Sequence, residues 1–137
     1  MGANGNPPSL YLLLASAAVA TLVVHLSFVP EHFPEDPLGS APYLLVGWLT
    51  FAMAFYVAGR LLSSPGELPS MRAADIGVGL FLVSLILAGG LDALGFPPVA
   101  VLEAYVLPAV GIYAGLALVG WSIGQRTKAI NRIAGGD

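Results

Sequence analysis

"VAVLEAYVLPAVGIYAGLALVGWSI", residues 99–123, contains a single charged side chain, Glu103. About 20 apolar residues in a helix cross the ~30 Å hydrocarbon core of a bilayer, so this run is long enough to span one. Three earlier runs read the same way. Residues 9–29, "SLYLLLASAAVATLVVHLSFV", follow Pro7 and Pro8 and stop at Pro30. Residues 41–62, "APYLLVGWLTFAMAFYVAGRLL", close on "SSPG". Residues 72–95 end in "GF" before Pro97 and Pro98. The backbone polar groups of a spanning segment must pair within the segment. The runs therefore predict an all-α, polytopic integral membrane protein: a four-transmembrane-helix bundle with short loops, in one domain covering residues 1–137.

The composition agrees. The chain has 137 residues, 57% of them hydrophobic and 9% charged, with a mean hydropathy of +0.84. Soluble domains carry about 25% charged residues, so this chain has too few to cover a water-facing surface. No block of Lys and Arg is present, which excludes nucleic acid as a partner on electrostatic grounds. Cysteine is absent, and with it disulfides, thiolate metal sites and iron–sulfur clusters. The one lysine, Lys128, lies beyond the last run, so a Schiff base within the membrane is excluded. "MGANGNPPS" has no Lys or Arg ahead of the first run, and Asn6 stands where a myristoylation signal needs Ser or Thr. The first run is expected to remain as a membrane helix.

The five basic residues set the orientation. Arg60 and Arg72 flank the connection between runs two and three, and Arg126, Lys128 and Arg132 follow run four. In a four-span protein all five fall on one side, which the positive-inside rule assigns to the cytoplasm. Both termini are then cytoplasmic in a cell (inner) membrane, with loop 30–40, "PEHFPEDPLGS", and the "GFPP" turn outside. Residues 124–137 read as a basic tail against the anionic inner surface, with partner docking as the alternative.

Ionisable groups within spans are costly and mark functional candidates. Three lie below the span boundaries: His25, Asp92 and Glu103. At 1.5 Å per residue each lies roughly 6–9 Å below the outer boundary. Convergence of the three would create an outward-facing polar or ion site. His25 shares a helical face with Thr21 and Ala18, and Asp92 shares one with Ala88, so these faces are expected to meet protein rather than lipid. Pro108 removes a backbone hydrogen bond to the Ala104 carbonyl and is expected to kink the fourth helix. The alternative is a structural cluster in which Glu103 pairs with His25 to satisfy both groups. In loop 30–40, Glu31, His32, Glu35 and Asp36 form a weaker candidate cation site.

Small residues supply packing motifs. These are Gly111-x-x-x-Gly115 and Gly120-x-x-x-Gly124 in run four, and Ala54-x-x-x-Ala58 in run two. Run three adds Gly77, Gly79, Ser84, Gly89 and Gly90. They serve either packing inside the chain or an interface with other subunits. Tyr11, Tyr43 and Trp121 fit interfacial anchors, and Trp48 and Tyr113 are ordinary membrane aromatics that require no cofactor. No cofactor is expected, since no catalytic motif is present and a haem held by two intramembrane histidines needs more than His25. The expected function is non-catalytic: an accessory or anchoring subunit, or a homo-oligomeric module, of a prokaryotic membrane. The alternatives are a small proton- or cation-coupled transporter or channel using His25, Asp92 and Glu103, and the membrane part of a sensor.

Overall fold

The structure, a computed structural model, describes residues 6–135. Residues 1–5 and 136–137 lie outside the described residues, and with them much of the segment on which the expectation of a retained first helix rests. The described chain is helical, with no strand. Helix α1 covers Pro8–Val23 and continues as a π-helical turn, Val24–Phe28. Helix α2 is Pro37–Leu62 and α3 is Arg72–Ala93. A 3₁₀ turn, Leu102–Tyr105, leads into α4, Val106–Ile133. All four helices are long and apolar enough to cross a membrane.

Three boundaries differ from the expected runs, each for a local reason. Helix α2 begins a turn earlier than residue 41, because Asp36 caps it: its carboxylate accepts from the Gly39 amide at 3.0 Å, and Pro37 occupies the first position. There a missing amide proton costs nothing. Pro42 is then accommodated inside the helix. Pro108 does not kink α4. It sits in the first turn, where its absent N–H had no intrahelical acceptor, and so marks where regular helix begins. At its other end α4 does not stop at residue 123 but runs to Ile133, so residues 124–133 are helix rather than a loose tail. Helix α3 ends on Gly95 at φ 94°. The amides of Gly95 and Phe96 return to the carbonyls of Asp92 and Leu91, the paired bonds of a Schellman cap.

The helices pack side by side in the order α1, α2, α4, α3. The expected four-helix bundle is thus built as a row of neighbours, with α2 and α4 inside it and α1 and α3 at its edges. The glycines of α4 explain this. Gly120 follows Gly111 by nine positions, about two and a half turns at 3.6 residues per turn, so the two glycine pairs face opposite sides. Gly111 and Gly115 meet α3. A Cβ on Gly115 would stand 2.5 Å from the Gly77 carbonyl, and one on Gly77 would stand 2.7 Å from the Gly115 carbonyl. Gly120 and Gly124 meet α2 at the carbonyls of Ala52 and Tyr56, while Gly59 faces the Trp121 carbonyl. Both contacts bring backbone against backbone, which no side chain would permit. The face of α2 that meets α4 therefore carries Ala52, Tyr56 and Gly59. Ala54 and Ala58 are only half-buried. On its other side α2 receives α1, through Leu10, Val57 and Leu61.

The end of the row where α2 and α3 connect is closed by the basic residues of α4. Arg126 donates to the Pro69 carbonyl at 2.6 Å, Lys128 to the Ser63 carbonyl at 2.6 Å and Arg132 to the Pro65 carbonyl at 3.2 Å. Arg60 lies over the Tyr56 ring, 5.9 Å from its centroid. The residues expected to rest free on lipid headgroups instead grip the connecting loop.

The glycine contacts carry a direct test. Gly120→Leu and Gly124→Leu each force α2 from α4 and are expected to destabilise the fold by about 1–3 kcal/mol, seen as a lower melting temperature in detergent. Gly66→Leu, in the exposed loop between α2 and α3, meets open space within 4 Å and is expected to leave melting unchanged.

Candidate functional site

At the opposite end of the row, side chains from all four helices surround a cavity of about 390 Å³. One wall begins at the π turn. There the Val29 amide bonds to the Val24 carbonyl at 2.9 Å, which inserts a residue into the helix and widens it around His25. π turns of this kind recur at functional positions. The His25 ring lies against Gly47 of α2. A Cβ at that glycine would approach the ring Cε1 to 2.6 Å, so Gly47 is the space the imidazole occupies.

Both ring nitrogens are engaged. Nδ1 is 2.8 Å from the Thr21 carbonyl and Nε2 is 2.5 Å from the Tyr113 hydroxyl of α4. A carbonyl only accepts, so Nδ1 carries the proton. In the neutral ring Nε2 is then an acceptor, and the Tyr113 hydroxyl donates to it. One turn down, the hydroxyls of Thr21 and Thr50 meet at 2.9 Å, so the His25–Thr21 face does turn toward protein. The Trp48 indole lies beside the Tyr113 hydroxyl, and its Nε1 is buried without a completed hydrogen bond. A polar seam thus crosses α1, α2 and α4, flanked by edge-to-face contacts of Tyr113 with His25 and Phe51 and of Trp48 with Phe81 of α3.

The three expected intramembrane groups have separate fates. His25 and Asp92 line the same cavity. Asp92 sits in the last turn of α3 with Ala88 below it on the wall, and it is exposed at the rim. Glu103 does not line the cavity. It stands exposed in the 3₁₀ turn, because helix begins only at Val106 and the residues before it project at that end of the molecule. His25 therefore pairs with Tyr113, not with Glu103. Among the described residues no three His, Asp or Glu side chains come together in a way that could hold a metal ion.

The acidic loop is occupied by structure. Asp36 caps α2. His32 stacks on Tyr43 with centroids 5.1 Å apart, and Phe28 stacks on the same ring at 5.5 Å. Glu31 and Glu35 are exposed. Two neighbours of this loop's acids, Phe33 and Pro37, line the cavity.

Residues that sequence reasoning passed over do more here than the acids. Trp48 and Tyr113 were indistinguishable from membrane aromatics, yet both line the cavity. Tyr105 lines it too and donates to the Phe96 carbonyl at 2.6 Å, which ties the turn after α3 to the start of α4. The usable signal was Gly47 one turn from Thr50 on α2, a place for a neighbouring ring. Compared with protein-family models, with curated proteins and with solved structures, the chain finds no match.

The polar seam predicts one tautomer. Nitrogen NMR of the labelled protein should show His25 protonated at Nδ1 and bare at Nε2. Tyr113→Phe removes the donor to Nε2 and should destabilise the protein by about 1–3 kcal/mol, the range for a stranded buried polar group. A ring protonated at Nε2 in the unaltered protein would reverse the assigned bond directions.

Proposed function

We propose that the chain is a non-catalytic, multi-pass protein of a prokaryotic inner membrane, acting as an accessory or anchoring subunit or as a homo-oligomeric module. Both termini face the cytoplasm and loop 30–40 faces outward. The separation of charge supports that orientation: Arg60, Arg72, Arg126, Lys128 and Arg132 belong to the end where α2 and α3 connect, and the cavity end has neither Lys nor Arg.

One observation carries the subunit reading. Gly79 and Gly90 project from the side of α3 opposite Gly77 and Ser84, and nothing lies within 4 Å of a Cβ at either. Glycine weakens a helix by about 1 kcal/mol relative to alanine, and lipid tails do not need the space it leaves. A second helix does. The uncovered edge of the row therefore suits another membrane chain or another copy.

The transporter reading ranks second. His25 and Asp92 on one cavity favour it. Against it stand the position of Glu103, the almost wholly apolar wall and the engagement of both His25 nitrogens. A hydrated ion would find few oxygen ligands there. The sensor reading loses its output segment, since the basic residues of α4 hold the loop between α2 and α3.

Two measurements test the proposal. With no native cysteine, Glu31→Cys should react with a membrane-impermeant maleimide on intact cells, and Gly66→Cys should react only after lysis; the reverse pattern would invert the orientation. Purified in mild detergent, the protein should either carry a larger membrane partner or form disulfide-linked pairs through Gly90→Cys. A monodisperse monomer that does neither removes the subunit reading.

A further inference from the structure

The cavity at the outer end combines three properties that narrow what fits it. Its volume, about 390 Å³, lies within the ~300–1,000 Å³ range of small-molecule pockets. Its wall is apolar and rich in rings: Phe33, Trp48, Tyr105 and Tyr113 all contribute. One carboxylate, Asp92, stands on that wall, and the same end of the molecule holds Glu31, Glu35, Asp36 and Glu103 with no Lys or Arg.

Each alternative class of occupant leaves one of these features unexplained. An acyl chain would fill an apolar cavity but makes no use of the carboxylate at its rim. An inorganic cation needs several oxygen ligands, and no three His, Asp or Glu side chains gather here among the described residues. An anion meets only like charge. An organic cation answers all three: its hydrophobic body takes the apolar volume, aromatic faces attract its positive centre, and the carboxylate pairs with that charge at the rim. We propose that the outer cavity is a binding site for lipophilic organic cations, with Asp92 as the counter-charge and Phe33, Trp48, Tyr105 and Tyr113 as the aromatic wall. The site is independent of the subunit reading, since it uses the hollow between the helices and not the side of α3 that carries Gly79 and Gly90.

Two probes of like shape and opposite charge, tetraphenylphosphonium and tetraphenylborate, test the site on the full chain in phosphatidylcholine nanodiscs, with empty nanodiscs as the background. The phosphonium should bind saturably and quench Trp48, read in a Trp121→Phe background, while the borate should not. Asp92→Asn should weaken phosphonium binding at least tenfold, and Glu103→Gln, which lies off the cavity, should leave it within twofold. Ala88→Phe, which fills the cavity, should abolish it. Melting curves accompany each variant; where Asp92→Asn lowers the melting temperature, Asp92→Glu restores the charge and should restore binding. Saturable borate binding of equal strength would show a lipid-type cavity and overturn the proposal. So would an unaltered affinity in a folded Asp92→Asn, or phosphonium uptake no greater than that of empty nanodiscs.

Discussion

The row of helices depends on backbone meeting backbone along the two sides of α4. In a membrane, no hydrophobic effect drives helices together, because lipid tails are as apolar as leucine. What remains is the closeness of contact and the dispersion energy that grows with it. Gly115 against Gly77 on one side, and Gly120 and Gly124 against Ala52 and Tyr56 on the other, provide that closeness. The half-turn offset between the two glycine pairs places α4 between α2 and α3. A chain with both pairs on one face would have to bring its neighbours to the same side.

The cavity follows from where those contacts run out. The approach of α2 to α4 lies in the half of the row that ends at the basic loop, where Arg126, Lys128 and Arg132 add carbonyl bonds. Toward the acidic end, bulky rings replace glycine. Trp48, Tyr105 and Tyr113 hold the helices apart there, and the π turn of α1 leans His25 across to Tyr113. The same chain is thus tight and clamped at one end and hollow at the other.

Much of the architecture was legible along the chain. The four apolar runs correspond to the four helices, and Gly111, Gly115, Gly120 and Gly124 lie where α4 meets α3 and α2. The face shared by His25 and Thr21 does meet α2, and Ala88 does lie beside the cavity that Asp92 borders. Local chemistry explains the misplaced boundaries. A cap at Asp36 and a proline tolerated at position 108 decide where helices begin, and apolar content does not register either. The candidate site was only half legible. His25 and Asp92 line one cavity, but Glu103 stands outside it, since a 3₁₀ turn aims side chains differently from a helix. Trp48 and Tyr113 carried no distinguishing mark, because an aromatic in a span looks the same whether it faces lipid or lines a cavity.

Sequence alone determined that this protein is helical, that it has four segments able to cross a bilayer, and that its charge is divided between two ends. Those properties are sums over residues and survive any arrangement of the helices. Only the tertiary structure decided which helix lies inside the row, which polar groups meet and where space is left. Each of these depends on pairs of residues far apart in the chain: Gly77 with Gly115, His25 with Tyr113, Lys128 with Ser63. The approach of two backbones to contact distance is a property of the pair, and neither residue expresses it alone.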